Sequence, residues 1–171
     1  MSKSHVVAAL CAALMLGLAV AVPGAGAKTS VSSSYAVSGI ETSIPTNNTS
    51  TFAGAASGSS GDVALWKASV MHQALSNCPF GSGTSCSITG GTFALASSDG
   101  SKLTGTFATD GKVTPLTQAP GCGTQTFGVS GSLATTSGPA TFSATLTHYR
   151  LSLFGTCIPF FATIRGSFTL G

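Results

Sequence analysis

Charged side chains are the scarcest feature of this 171-residue chain. Seven Lys and Arg and four Asp and Glu make up only 6% of it, whereas 43% of the residues are apolar. Disordered chains are rich in charge and poor in apolar residues, and coiled coils need charged flanking positions, so neither class fits. The few basic residues are scattered rather than clustered, which excludes a nucleic-acid partner. We therefore expect one globular domain.

Carboxylates are too few to supply much acid–base chemistry. Asp62, Asp99 and Asp110 each stand beside a Gly at a predicted turn or strand start, whereas Glu41 has no such structural explanation. A two-carboxylate site is not expected, and no nucleophile elbow indicates a Ser-His-Asp triad. We predict no catalytic residue, metal or cofactor, and a function without enzymatic chemistry.

Long apolar runs are confined to the N-terminus. Such a run covers residues 6–22, a Pro-Gly break follows, and small residues occupy positions 25–27. This order is typical of a secretory signal peptide over residues 1–27, and the run is at the lower limit for a membrane anchor. Residues 28–171 are then a single secreted domain, extracellular or associated with the cell envelope, with no integral membrane segment after cleavage.

Apolar residues of this domain mostly recur at every second position, the period of a strand with one buried face. Residues 62–76 follow this period, although a helical stripe is an alternative there, and residues 46–61 are predicted as a flexible polar loop with a short strand at 51–55. Asp99-Gly100 and Asp110-Gly111 predict two successive turns of an antiparallel meander.

About eight or nine short strands, separated by turn signals, predict an all-β fold. We expect an antiparallel up-and-down β-barrel of about eight strands, with a two-sheet β-sandwich as the alternative. Closure is favoured because it removes exposed strand edges, which a chain with so few charges has little means to protect.

Four cysteines follow the predicted cleavage site: Cys78, Cys86, Cys122 and Cys157. An even number in an exported chain favours disulfides, and no pair has the short spacing of a zinc site. Three pairings are open, of which local geometry prefers Cys78 with Cys86 and Cys122 with Cys157. Counting the strands up and down places these two bridges at opposite ends of the fold.

Two histidines of the domain fall on the more apolar faces of their strands. His72 shares its face with Trp66, and His148 shares its face with Leu146 and Arg150. In a barrel this alternation points inward, towards a mouth where a polar group can orient a bound molecule. We predict a ligand site in which His72, His148 and Arg150 are polar anchors and Trp66 is an apolar wall. The alternative is that both histidines make ordinary hydrogen bonds while Arg150 turns to solvent.

Phenylalanines gather around one cysteine near the C-terminus. Phe154, Phe160 and Phe161 flank Cys157. We expect them to cap one end of the core, and the alternative is an exposed contact surface.

The segments GGTFAL at residues 90–95 and LTGTF at residues 103–107, joined through the Asp99-Gly100 turn, resemble bacterial exported proteins related to the allene oxide cyclase and dirigent β-barrels. The resemblance covers residues 86–134. It implies an eight-stranded antiparallel barrel whose mouth holds an apolar small molecule, and homo-oligomers as in some members. It carries over no catalytic residue.

These expectations lead to a secreted, non-enzymatic binding module that holds a small apolar ligand in a barrel mouth. Two other functions stay open. A structural or adhesive envelope protein would have a filled core and act through its Ser/Thr-rich outer faces, and a cofactor-free isomerase or cyclase of the allene oxide cyclase type would act through the shape of its cavity.

Overall fold

The computed structural model describes residues 33–43, 48–74, 84–118 and 121–171; the predicted signal peptide lies outside them. Within these ranges the chain has no helix, and therefore none that is long and apolar enough to cross a membrane. The described strands are β1 (Ser34–Glu41), β2 (Thr49–Gly58), β3 (Val63–His72), β4 (Cys86–Ser97), β5 (Lys102–Phe107), β6 (Lys112–Gln118), β7 (Thr124–Thr135), β8 (Gly138–Leu153) and β9 (Thr156–Leu170).

The strands close on themselves as an antiparallel barrel. Tyr35 of β1 lies opposite Gly58 of β2 on one side and Phe168 of β9 on the other. The ring continues through β2–β3, β3–β4, β7–β8 and β8–β9 pairs, so no edge is left open. The predicted all-β barrel is confirmed, and the sandwich alternative does not apply.

β5 and β6 together fill one position of this eight-position ring. Phe107 of β5 pairs with Leu133 of β7, and Lys112 of β6 pairs with Ser130 of the same strand. Both strands also run antiparallel to β4, so the chain passes from one to the other without reversing. The predicted hairpin at Asp110-Gly111 is therefore wrong, because β4 and β7 are long enough to pair with both segments.

This missing reversal changes which connections share an end of the barrel. We define the upper end of the barrel as the end where β1 and β3 finish and where β4, β7 and β9 begin. The opposite end is the lower end. The upper end carries Cys86 at the start of β4 as well as Cys122 and Cys157. The prediction of one bridge at each end is wrong for this reason. Cys86 is disulfide-bonded, and Cys78 lies outside the described residues.

The polar region expected as a loop over residues 46–61 contains the ten-residue strand β2, much longer than the short strand anticipated there. Its inward positions include Gly54 and Ala56, which are too small to produce an apolar alternation in the sequence. Trp66 of the neighbouring β3 lies across them, and its Nε1 donates hydrogen bonds to the carbonyl oxygens of Ala55 (3.0 Å) and Ser38 (3.1 Å). The strand predicted over residues 62–76 is confirmed as β3, at residues 63–72.

A glycine bulge interrupts β4 opposite the end of β3. Gly91 adopts a φ of 131°, and a Cβ there would lie 2.0 Å from the carbonyl oxygen of Ser69. Only glycine tolerates both the backbone conformation and this approach. Because of the bulge, Ile88 before it and Phe93 after it both point into the barrel although their positions differ in parity.

The lower end of the barrel is filled with apolar side chains. Tyr35 stacks on Phe168 with ring centroids 5.2 Å apart, and Phe93 lies 5.3 Å from Phe168 in a tilted arrangement. Leu95 and Leu103 are buried beside them. Close packing of this kind supplies most of the hydrophobic stabilisation of a small domain.

Candidate functional site

A cavity of about 620 Å³ occupies the upper part of the barrel. Buried side chains such as Phe127, Val129 and Leu146 form its walls, while the exposed Phe160 and Phe161 line its outer part. The cavity therefore runs from the interior to the surface at the upper end. Its volume lies in the range of about 300–1,000 Å³ that is usual for small-molecule sites.

All four residues predicted for the ligand site line this cavity. They are Trp66 on β3, His72 at the end of β3, and His148 and Arg150 on β8. Each of these residues lies at a position of its strand whose side chain points into the barrel. Residues that are far apart in the sequence therefore meet in the same interior. Their positions agree with the predicted site, whereas a role in ligand binding stays a prediction.

Trp66 forms a fixed part of the wall. Its indole ring lies over β1, where a Cβ on Gly39 would come within 2.8 Å of the ring atom Cζ2. The two hydrogen bonds from Nε1 to backbone carbonyls satisfy the polar atom of the ring, as a buried indole requires. The cavity consequently meets only the apolar part of this side chain.

Glu41, which the sequence analysis left without a role, faces His148 inside the cavity. Oε2 of Glu41 lies 3.2 Å from Nε2 of His148, and the two side chains are only 10% and 18% exposed. This contact is not a hydrogen bond, and among the described residues Nε2 of His148 and Oε1 of Glu41 are buried without a hydrogen-bond partner. Phe127 packs edge-on against the imidazole at 5.3 Å. A buried polar atom without a partner is costly, and both of these side chains line the cavity.

The strand period contained a signal for Glu41. Tyr35 and Val37 occupy the inward positions of β1, and Glu41 follows them at the same parity. The apolar residues of this face end before Glu41, so a period defined by apolar residues alone does not include this carboxylate.

His72 and Arg150 make local hydrogen bonds at the rim. Nδ1 of His72 donates to the carbonyl oxygen of Gln73 (2.9 Å). Arg150 donates from Nε to the carbonyl of Gly123 (3.2 Å) and from Nη2 to that of Gly121 (3.1 Å). These bonds fix the segment before β7, so Arg150 serves the shape of the mouth rather than turning freely to solvent.

The predicted disulfide between Cys122 and Cys157 is confirmed, with a Cα–Cα distance of 5.2 Å. It ties the segment before β7 to the start of β9, immediately beside the residues that Arg150 holds. Disulfides are typical of oxidising compartments outside the cytoplasm. The bridge thus braces one side of the cavity mouth.

The expectation that the phenylalanine cluster caps the core is wrong. Phe154 is fully exposed at the tip of the β8–β9 hairpin, and Phe160 and Phe161 are exposed at the mouth. The hairpin continues beyond the ring of the other strands, since β8 and β9 still pair at Leu153 and Thr156. The three side chains are exposed, as the alternative requires, whereas a contact made by this surface stays a prediction.

The site offers one apolar chamber with one unsatisfied acceptor and one unsatisfied imidazole nitrogen. In the parts of the chain that the structure describes, no group of three or more His, Cys, Asp or Glu comes together as a set of metal ligands. The arrangement is suited to enclosing an apolar molecule and hydrogen-bonding a single polar group on it. Comparisons with protein-family models, with curated proteins and with solved structures find no match to this chain.

Proposed function

We propose that this protein is a secreted binding module that holds one small, mainly apolar molecule inside the barrel. The observation that carries the proposal is the cavity of about 620 Å³, which is walled by buried apolar side chains and opens beside a disulfide-braced rim. A filled core, which the structural or adhesive alternative requires, would leave no such space. Interiors without a ligand role are normally packed with few voids.

The Glu41–His148 pair defines the polar end of the ligand. Oε1 of Glu41 is a hydrogen-bond acceptor, and it has no donor among the described residues. A hydroxyl or ammonium group on the ligand would supply that donor, while its hydrocarbon part contacts Phe127, Leu146 and Trp66. A ligand that ends in a carboxylate would meet Glu41 with like charge. The ligand class is therefore an apolar alcohol or amine.

Two further features support export and a barrel ligand. The Cys122–Cys157 disulfide fits an oxidising compartment, as the N-terminal sequence also predicts. The resemblance of residues 86–134 to allene oxide cyclase and dirigent barrels implies an apolar molecule in the mouth of a barrel of this type.

The direct test is binding of a long-chain alcohol, amine and carboxylate of equal chain length, measured by calorimetry, with native mass spectrometry of the exported protein. We expect the alcohol and the amine to bind and the carboxylate to bind about tenfold more weakly or not at all. Ala162→Trp should abolish binding because Ala162 is buried on the cavity wall. Thr163→Trp, on the outward side of the same strand, is the matched control.

The polar end of the site is tested separately. Glu41→Gln should weaken amine binding by about tenfold, because it removes a charge-assisted hydrogen bond. Asp99→Asn, which removes an exposed carboxylate in the β4–β5 turn, should leave binding unchanged. Failure of all three ligands to bind, or equal effects of the Ala162 and Thr163 variants, would refute the proposal.

A cofactor-free isomerase is a second candidate, favoured by one observation: a carboxylate and an imidazole meet inside an apolar chamber. Such a pair can move a proton on a bound substrate. The ligand recovered from the protein decides between the two functions. Recovery of an unchanged ligand supports a carrier, whereas a rearranged product that Glu41→Gln no longer forms supports an isomerase.

A further inference from the structure

The β8–β9 hairpin projects an apolar tip from the upper end of the barrel. β8 and β9 are the longest of the described strands, with 16 and 15 residues. The tip turns at Phe154-Gly155, where Phe154 adopts a φ of 50° and is fully exposed. Leu151, Leu153 and Ile158 are also exposed on its two strands. An exposed apolar cluster of this kind normally marks a contact site.

The apolar surface of this hairpin is continuous with the cavity. Phe160 and Phe161 are exposed and at the same time line the cavity, and Pro159 lines it beside them. The β9 side of the path from the hairpin tip to the interior is therefore apolar. No Asp, Glu, Lys or Arg occurs between Arg150 and Arg165 in the sequence.

Charged side chains are few at the upper end. The others lie elsewhere: Asp62, Asp99 and Lys102 at the lower end, Asp110 and Lys112 where the chain passes from β5 to β6, and Lys67 and Arg165 midway along β3 and β9. Glu41 is enclosed in the cavity. Among the described residues, the upper end therefore presents no exposed carboxylate and one cation, Arg150 at the rim. An apolar tip beside a cation is complementary to a surface that is apolar within and anionic outside.

We propose that the tip of the β8–β9 hairpin inserts into the interfacial region of an anionic lipid bilayer, which supplies the ligand of the cavity. The proposal rests on the proposed function, since it names the source of that ligand. A narrow convex tip fits among lipid headgroups, where aromatic side chains are favoured. A second copy of the chain would instead have to offer a groove that receives the tip.

Flotation with vesicles tests the insertion, using protein isolated after export so that any leader has been processed by the cell. The vesicles consist of phosphatidylcholine alone or of an equimolar mixture with phosphatidylglycerol. We expect the protein to float with the mixed vesicles and less with phosphatidylcholine alone. Phe154→Ser should weaken binding about tenfold, because one buried Phe accounts for a change of this size. Leu65→Ser, at an exposed leucine on the outer face of β3, is the matched control and should bind as the wild type does.

Several outcomes would overturn the insertion. Absence of flotation, or equal losses for the Phe154 and Leu65 variants, would show that the tip does not contact lipid. A wild-type dimer that Phe154→Ser converts to a monomer, without vesicle binding, would assign the tip to a second copy of the chain. Urea unfolding of each variant confirms that folding is unchanged.

Failure of this inference and failure of the proposed function give different results. Phe154 does not line the cavity, so Phe154→Ser should still bind the long-chain alcohol added from solution. Ligand binding without flotation would overturn the insertion alone, whereas flotation without ligand binding would refute the carrier function.

Discussion

At the lower end of the barrel, Tyr35, Leu95 and Leu103 fill the space between the strands, whereas at the upper end the same ring of strands encloses an open cavity. The two ends also differ in what connects the strands. Short turns that contain Asp62 and Asp99 close the lower end, and the disulfide of Cys157 with the long β8–β9 hairpin marks the upper one.

This difference separates the part of the molecule whose packing stabilises the fold from the part that contains the cavity. Close packing at one end supplies the buried apolar area, so the other end can stay hollow. The covalent bridge at the rim and the hydrogen bonds of Arg150 then hold the mouth in shape without filling it. Among the described residues, the buried side-chain polar atoms without a hydrogen-bond partner belong to Glu41 and His148 at this end.

The largest expected effect comes from removing the covalent brace. Cys122→Ser combined with Cys157→Ser opens a loop with a sequence separation of 35 residues, and the entropy of that loop predicts a loss of about 4 kcal/mol in the free energy of unfolding. Urea unfolding measures the loss, and hydrogen exchange should show it concentrated in β8, β9 and the start of β7. Equal loss of protection around Tyr35 would contradict the separation of the two ends.

The next largest effect is a difference in the loss of unfolding free energy between two leucine-to-alanine variants, one at each end of the barrel. Leu103→Ala removes a packed side chain from the lower end and should cost about 3–4 kcal/mol, because it leaves a new void. Leu146→Ala removes a side chain that already borders the cavity, so it should cost about 2 kcal/mol, close to the transfer of the lost atoms alone. Urea unfolding with intact disulfides compares them. Equal costs would indicate that the upper end is packed in solution.

The smallest change in stability is expected where the chain passes from β5 to β6, a place that belongs to neither end of the barrel. The hydroxyl of Ser132 donates a hydrogen bond to the carboxylate of Asp110, and the backbone N–H of Ser132 donates a second one. Both bonds, the hydroxyl more strongly, hold the pKa of Asp110 below its ordinary value of 3.8. The ionised form is favoured on folding, so this contribution to stability is present above the ordinary pKa and lost as the pH falls through the lowered one. In Ser132→Ala the pKa of Asp110, followed by NMR, should rise. An unchanged pKa would remove this contact from the account.

The sequence predicted which residues face inward more successfully than it predicted how the strands are connected. Alternation is local, so Trp66, His72, His148 and Arg150 were assigned to the barrel interior from their own strands alone. The relation between β5 and β6 is not local. Asp110-Gly111 has the composition of a hairpin turn, and only the free pairing positions on β4 and β7 show that the chain continues onward.

The alternation of apolar residues alone does not reveal two features of the barrel interior. β2 carries no apolar alternation, because Trp66 of the next strand fills the space above Gly54 and Ala56. Glu41 was passed over because the strand period was read from apolar residues, although its parity placed it inside. The contact between Glu41 and His148 joins strands that are far apart in the sequence. The sequence around Glu41 therefore does not show which side chain lies opposite it.

If the protein binds a ligand as we propose, the ligand enters the upper end of the barrel and not the lower one. Methyl NMR in the presence of a nitroxide-labelled long-chain alcohol distinguishes the two ends, because the label broadens only nearby methyl signals. We predict broadening at Leu146 and Val129 on the cavity wall and none at Leu95 or Leu103 in the packed end. Uniform broadening of all four, or no broadening of any, would contradict the claim.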